Sequence, residues 1–197
     1  MTGLDDFKQL LKEFRGLSLW AAGGSVGLPF IASFIAVIPP WPNGLNVMTS
    51  VFQLVALIFV YQRYHGSKRA TITRNIGILA ATMFFVILAY MILFSILTIY
   101  VPEAKRSIVI GYECLPDANK IFGSKCPFLD LGDLAGAAYD EFLLWTRPSI
   151  ALTRSLLIAL WFMFFICLAT LIGQFLVFQM KRNVRPAKTR SAREKQA

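Results

Sequence analysis

Residues 75–100 read NIGILAATMFFVILAYMILFSILTIY, and this run of 26 residues, none of them charged, decides the fold class. An α-helix needs about 20 apolar residues to cross the hydrocarbon core of a bilayer. The run does not alternate apolar and polar residues, as a strand of a membrane β-barrel would. It therefore predicts a transmembrane helix.

Three other segments have the same character, and 56% of the whole chain is of hydrophobic type. They cover residues 17–40, 45–62 and 150–179. The last is longer than a bilayer requires, so we expect it to tilt or to project. Prolines and Asn-Gly at 39–44 predict a tight turn between the first two segments. The sequence thus predicts an all-α fold, a four-helix transmembrane bundle over residues 17–180.

The two ends of the chain are polar. Leu4, Phe7, Leu11 and Phe14 recur at helical spacing, which predicts an amphipathic helix over residues 1–16 that lies on the membrane or packs on the bundle. Residues 181–197 form a basic tail that we expect to be disordered.

The charges predict which way the chain faces. The N-terminus has no net charge, the 62–74 loop has +4 and the tail has +6, whereas the 101–149 loop has −2. By the positive-inside rule, both termini are cytoplasmic and the long loop is outside a bacterial inner (plasma) membrane. Trp41, Tyr100 and Trp145 are expected at the outer boundary. The net charge of +9 is explained by this topology and gives no reason to predict a nucleic-acid partner.

Cys114 and Cys126 lie in the predicted outer loop, in a compartment where disulfides persist. A bridge between them would pin this loop, with a stabilisation of about 3 kcal/mol in the chain-entropy model. The alternatives are unpaired or partner-linked thiols, or a metal site, which two cysteines without a neighbouring histidine support poorly. We predict the disulfide, and no metal or cofactor.

No catalytic constellation is present in the sequence. The only histidine, His65, has no catalytic partner beside it and would lie on the opposite side of the membrane from the paired cysteines. No phosphate-binding glycine loop is found. The sequence predicts a protein that is not an enzyme.

Three polar residues within the apolar segments are candidates for the lining of the bundle or of a pore: Gln53, Arg154 and Gln174. The two glutamines lie at different depths and are not expected to pair. Arg154, about one turn inside its span, either extends outward or pairs with a loop acid such as Glu141. A pore-lining role is the alternative. The spans contain no carboxylate, which disfavours an ion-coupled carrier.

Gly23 and Gly27 form a G-x-x-x-G pattern in the first predicted span. Small residues at this spacing let helix backbones approach closely. The contact could lie within one subunit or between copies of a homo-oligomer.

Residues 38–62 (IPPWPNGLNVMTSVFQLVALIFVYQ) and 139–161 (YDEFLLWTRPSIALTRSLLIALW) resemble a loosely defined family of small four-span bacterial membrane proteins. Some members are encoded beside immune or conflict-system enzymes, where they are considered membrane effectors or sensors. The resemblance implies a non-enzymatic, oligomeric protein that alters membrane permeability. An accessory or scaffold subunit of a larger membrane complex, docking through its tail or outer loop, is the alternative, and a small channel or transporter comes third.

Overall fold

The computed structural model describes residues 27, 29, 31–32, 38–64, 66–67, 69–103 and 105–194, with side chains described up to residue 179. The predicted amphipathic helix over 1–16 lies outside the described residues, as does most of the first predicted span. A count of four spans is therefore not tested. The part that the structure describes is mostly helical.

Within the described residues, three helices are long and apolar enough to cross a membrane, which suits a membrane protein. These are α1 (Leu45–Tyr64), α2 (Arg69–Leu97) and α5 (Arg147–Glu194), the last through its portion up to Gln179. They coincide with the segments predicted at 45–62, 75–100 and 150–179. Each begins earlier or ends later than predicted, because a helix continues through polar flanking residues without a new nucleation step.

The prediction of an all-α fold is wrong at the end of α2. The helix stops at Leu97, and β1 (Thr98–Val101) pairs in antiparallel register with β2 (Arg106–Val109). Thr98, Ile99 and Val101 are β-branched, which favours an extended backbone when a partner strand is available. At the other end of the chain, α5 continues to Glu194, where the sequence predicts disorder.

The predicted outer loop is a folded substructure, which we call the cap (residues 98–146). After the hairpin come α3 (Pro116–Phe122), a 3-10 turn (Gly123–Lys125), α4 (Leu131–Gly136) and a second 3-10 turn (Glu141–Leu143). Their apolar side chains share one core with the start of α5: Val101, Ile108, Ile110, Ala118, Leu129, Leu134, Leu144, Trp145 and Ile150.

The chain divides into two compact units. The described part of the first unit consists mainly of residues 46–85 and 164–194, and the second contains residues 38–45 and 86–163, including the cap. In the first unit α1 and α5 pack closely at Gly173, where an added β-carbon would lie 2.9 Å from Val60 Cγ1. The apolar centre of this unit is formed by Tyr61, Ile72 and Val177.

Candidate functional site

A buried amide occupies the middle of α1 in the first unit. Thr49, Ser50 and Gln53 share one face of the helix, because residues three and four apart lie above each other. Their exposed fractions are 0%, 7% and 0%. Among the residues that the structure describes, neither Nε2 nor Oε1 of Gln53 has a hydrogen-bond partner. The interior of α1 therefore holds a donor and an acceptor that no described protein group satisfies.

Gln174 on α5 is the second buried amide of the first unit. It is 2% exposed, and its Oε1 also lacks a partner within the described part of the chain. The neighbouring Gly173 packs against Val60 and the carbonyl of Leu57. Gln174 on α5 is thus level with a point of α1 that lies about six residues beyond Gln53. This separation corresponds to about 9 Å along the helix axis. The two amides form separate polar positions, and no hydrogen bond between them is found.

Arg154 is held in the second unit by Glu141. Its NH2 donates to Glu141 Oε1, so the predicted pairing with this loop acid is present, and the two side chains are only 21% and 15% exposed. The guanidinium carbon lies 5.8 Å from the ring centroids of both Trp41 and Phe142. This environment combines a charge pair with two cation–π contacts. We call the four residues the Arg154 clamp.

Arg154 Nε has no hydrogen-bond partner among the described residues. Because α5 begins at Arg147, the guanidinium arises about two turns inside the helix, one turn deeper than the sequence indicates. The cap supplies the carboxylate through its second 3-10 turn, so the charge is paired within the protein.

The predicted disulfide joins Cys114 to Cys126, with Cα atoms 6.3 Å apart. The segment around Cys114 forms an antiparallel bridge with Trp145. Trp145 Nε1 donates to Pro127 O at 3.0 Å, and the ring is 0% exposed. Trp145, which the sequence places at the outer membrane boundary, does not expose its ring: its one polar atom finds a carbonyl inside the cap, which makes full burial possible.

The cap surface carries a small charge cluster outside the membrane-spanning segments. Lys125 Nζ lies 3.1 Å from Asp133 Oδ2 and 3.4 Å from Asp130 Oδ2. The pKa of Asp133 is lowered, first by the Asp130 N–H that donates to it and then by Lys125. The pKa of Lys125 is raised, chiefly by its hydrogen bond to Asp133. Within the described residues no group of three His, Cys, Asp or Glu side chains is arranged to hold a metal.

Two predicted features are not brought into the site. Gly23 and His65 lie outside the described residues. At Gly27, no described atom lies within 4 Å of the position that a β-carbon would take. The glycine contact face stays a prediction.

Sequence reasoning missed Gly111. A β-carbon there would lie 2.7 Å from Trp145 Cβ and would overlap Ser149 Oγ. The residue is separated from both by more than thirty positions, so no local pattern indicates it.

No protein-family model, curated protein or solved structure matches the chain.

Proposed function

We propose that this chain is a non-enzymatic protein of a bacterial inner membrane, with both termini cytoplasmic, which works as an oligomeric effector or sensor of a defence system and alters membrane permeability. The three long apolar helices support the membrane setting. The excess of Lys and Arg in the 62–74 loop and the tail supports the orientation. The resemblance of residues 38–62 and 139–161 supports the defence setting.

The buried carboxamide of Gln53 carries the proposal. Burying an amide without a hydrogen bond costs about 2–7 kcal/mol, a penalty that an apolar residue of similar size would avoid. Both polar atoms of this amide lack a partner in the described residues. The amide would be satisfied if α1 and its neighbours separated enough to admit water. The described conformation is then the closed state of a membrane protein that opens.

The test is ion leak from vesicles that contain the purified, disulfide-bonded protein. We expect the wild type to increase leak over empty vesicles, and Gln53→Leu to remove most of this increase because the polar position is lost. The matched control is Gln62→Leu, the same substitution at an exposed position of the same helix. It should leave the leak unchanged.

Membrane potential in cells that express the full chain provides the second readout. Depolarisation by the wild type and Gln62→Leu, but not by Gln53→Leu, would support the proposal. Intact potential in cells together with no leak in vesicles would contradict it. Equal leak through the wild type, Gln53→Leu and Gln62→Leu would show that the permeability does not depend on Gln53.

A docking role is the second candidate, and exposed apolar residues of the cap favour it. Ile121 is 75% exposed and Phe128 is 58% exposed, and the cap also exposes Tyr112 and Leu143. A photo-crosslinking residue at each position, compared with one at Gly132, would test it. Adducts with another membrane protein at Ile121 and Phe128 only, without any permeability change, would favour a scaffold or accessory subunit.

A further inference from the structure

The charged residues of the first unit are mostly cations. No Asp or Glu occurs between Glu13 and Glu103 or between Glu141 and Glu194. The described side chains of this unit therefore include no carboxylate that could neutralise Arg63, Arg69 and Arg74. No salt bridge is found at these arginines. In a membrane protein such unneutralised charge sets the sign of the local potential.

Arg69 is half-buried and contacts an aromatic ring. Its guanidinium carbon lies 4.6 Å from the ring centroid of Phe178. Phe178 in turn packs on the apolar centre formed by Tyr61, Ile72 and Val177. The cation is thus held where the end of α1, the start of α2 and α5 come together.

The buried amides lie beside the part of α1 that precedes Arg63. Gln53 lies ten residues before Arg63 in α1. Gln174 of α5 lies beside the stretch between them, because the adjacent Gly173 contacts Val60. Gln53 offers a free N–H donor as well as a free acceptor. The amide alone does not discriminate between anions and cations. The arginines do, because basic residues favour anions in a pore whereas acidic residues favour cations.

We infer that the route opened in this unit conducts small inorganic anions such as chloride, with Gln53 as a hydrogen-bond donor along the path and Arg63, Arg69 and Arg74 as the source of anion preference. This inference rests on the proposed permeability function and names the class of permeant ion. A cleft lined by charge of one sign raises the local concentration of the opposite ion by about tenfold or more.

The experiment is the reversal potential of the reconstituted full chain in a planar bilayer under a KCl gradient. We expect a reversal potential close to the chloride equilibrium potential. The variant Arg63→Gln/Arg69→Gln/Arg74→Gln should lower the chloride-to-potassium permeability ratio by about tenfold. The matched control, Arg147→Gln, removes an exposed arginine from the second unit and should leave the ratio unchanged.

Each outcome bears on the inference. A reversal potential near that of potassium would overturn it and leave the permeability function standing. An unchanged chloride-to-potassium permeability ratio in the triple variant, shown by its elution profile to be folded, would also overturn the inference and leave the permeability function standing. The absence of any conductance would overturn the proposed function and the anion preference together.

Discussion

Gln53 and Arg154 are polar residues inside apolar helices, and they differ in what they meet. Arg154 finds Glu141 and two aromatic rings in the second unit. Gln53 is fully buried, and its amide has no partner among the residues described. A half-buried charge that keeps its ion pair avoids the cost of an unpaired charge, whereas an unsatisfied buried amide opposes folding. The environment of Arg154 therefore indicates a structural role, whereas that of Gln53 fits the proposed functional role.

Breaking the Arg154 clamp is expected to destabilise the protein through the charge that remains. Arg154→Ala or Glu141→Ala should each lower the free energy of unfolding by about 2 kcal/mol, less than a fully buried pair because both side chains keep some exposure. Glu141→Leu/Arg154→Leu should cost less than either single change, since no unpaired charge is left. Unfolding by denaturant in detergent measures all three. A double variant that loses the sum of both single losses would contradict this account.

Gly111 permits the close approach of the cap to the start of α5. Gly111→Ala should destabilise by about 1–3 kcal/mol, because the added methyl group would lie against Trp145 Cβ and Ser149 Oγ. Gly132→Ala is the control, since no atom lies within 4 Å of its added β-carbon. Thermal unfolding in detergent should show a lower melting temperature for the first variant only. Equal melting temperatures would argue against the tight contact.

The long helices and the cap differ in how they use their apolar residues. In α2 only 11% of the most apolar stretch of 18 residues is buried, compared with 39% in α1. Ile78, Phe85 and Ile92 are all more than half exposed, as suits contact with lipid. The cap instead buries its apolar residues in a core of its own and adds a disulfide. At the scale of the element, α2 depends on a surrounding apolar solvent, whereas the cap is built like a small water-soluble domain.

The charge cluster of the cap predicts a pH dependence. Because folding lowers the pKa of Asp133, the ionised form stabilises the cap at neutral pH, and this contribution is lost as the pH falls below about 4. Asp133→Asn should therefore have a lower melting temperature than the wild type at pH 7, with the difference vanishing in acid. Asp117→Asn, at an exposed ion pair, should show little difference at either pH. A constant difference between wild type and Asp133→Asn at every pH would contradict the assignment.

The whole molecule combines apolar helices with a strong asymmetry of charge. The first unit has cations without carboxylates in its described side chains, and the cap has seven acidic residues within residues 101–149. Positive residues resist transfer across the inner membrane, so the distribution predicts the orientation of the chain. The disulfide in the cap agrees with an oxidising exterior. Two independent physical arguments thus support the proposed orientation and compartment.

This topology predicts a pattern of chemical labelling. In a Cys167→Ala background, where the disulfide protects the other two cysteines, a membrane-impermeant maleimide added to intact spheroplasts should label Lys120→Cys. It should label Lys195→Cys only after the membrane is made permeable. Lys120 is well exposed, with 77% of its side chain accessible. Labelling of Lys195→Cys in intact spheroplasts would show that the C-terminus is outside and would overturn the predicted orientation.

Local pattern alone was sufficient for the three long helices, because a run of about 20 apolar residues has few other ways to satisfy its backbone in a membrane. The Cys114–Cys126 bridge was also predictable, since the chain has only three cysteines, and so was the pairing of Arg154 with Glu141, an acid close to it in the sequence. Tertiary structure decided the rest: the hairpin that ends α2, the burial of Trp145, the need for glycine at residue 111 and the unsatisfied amide of Gln53. These features depend on residues far apart in the chain, and their energies come from packing and from hydrogen bonds made or missed, which no local pattern records.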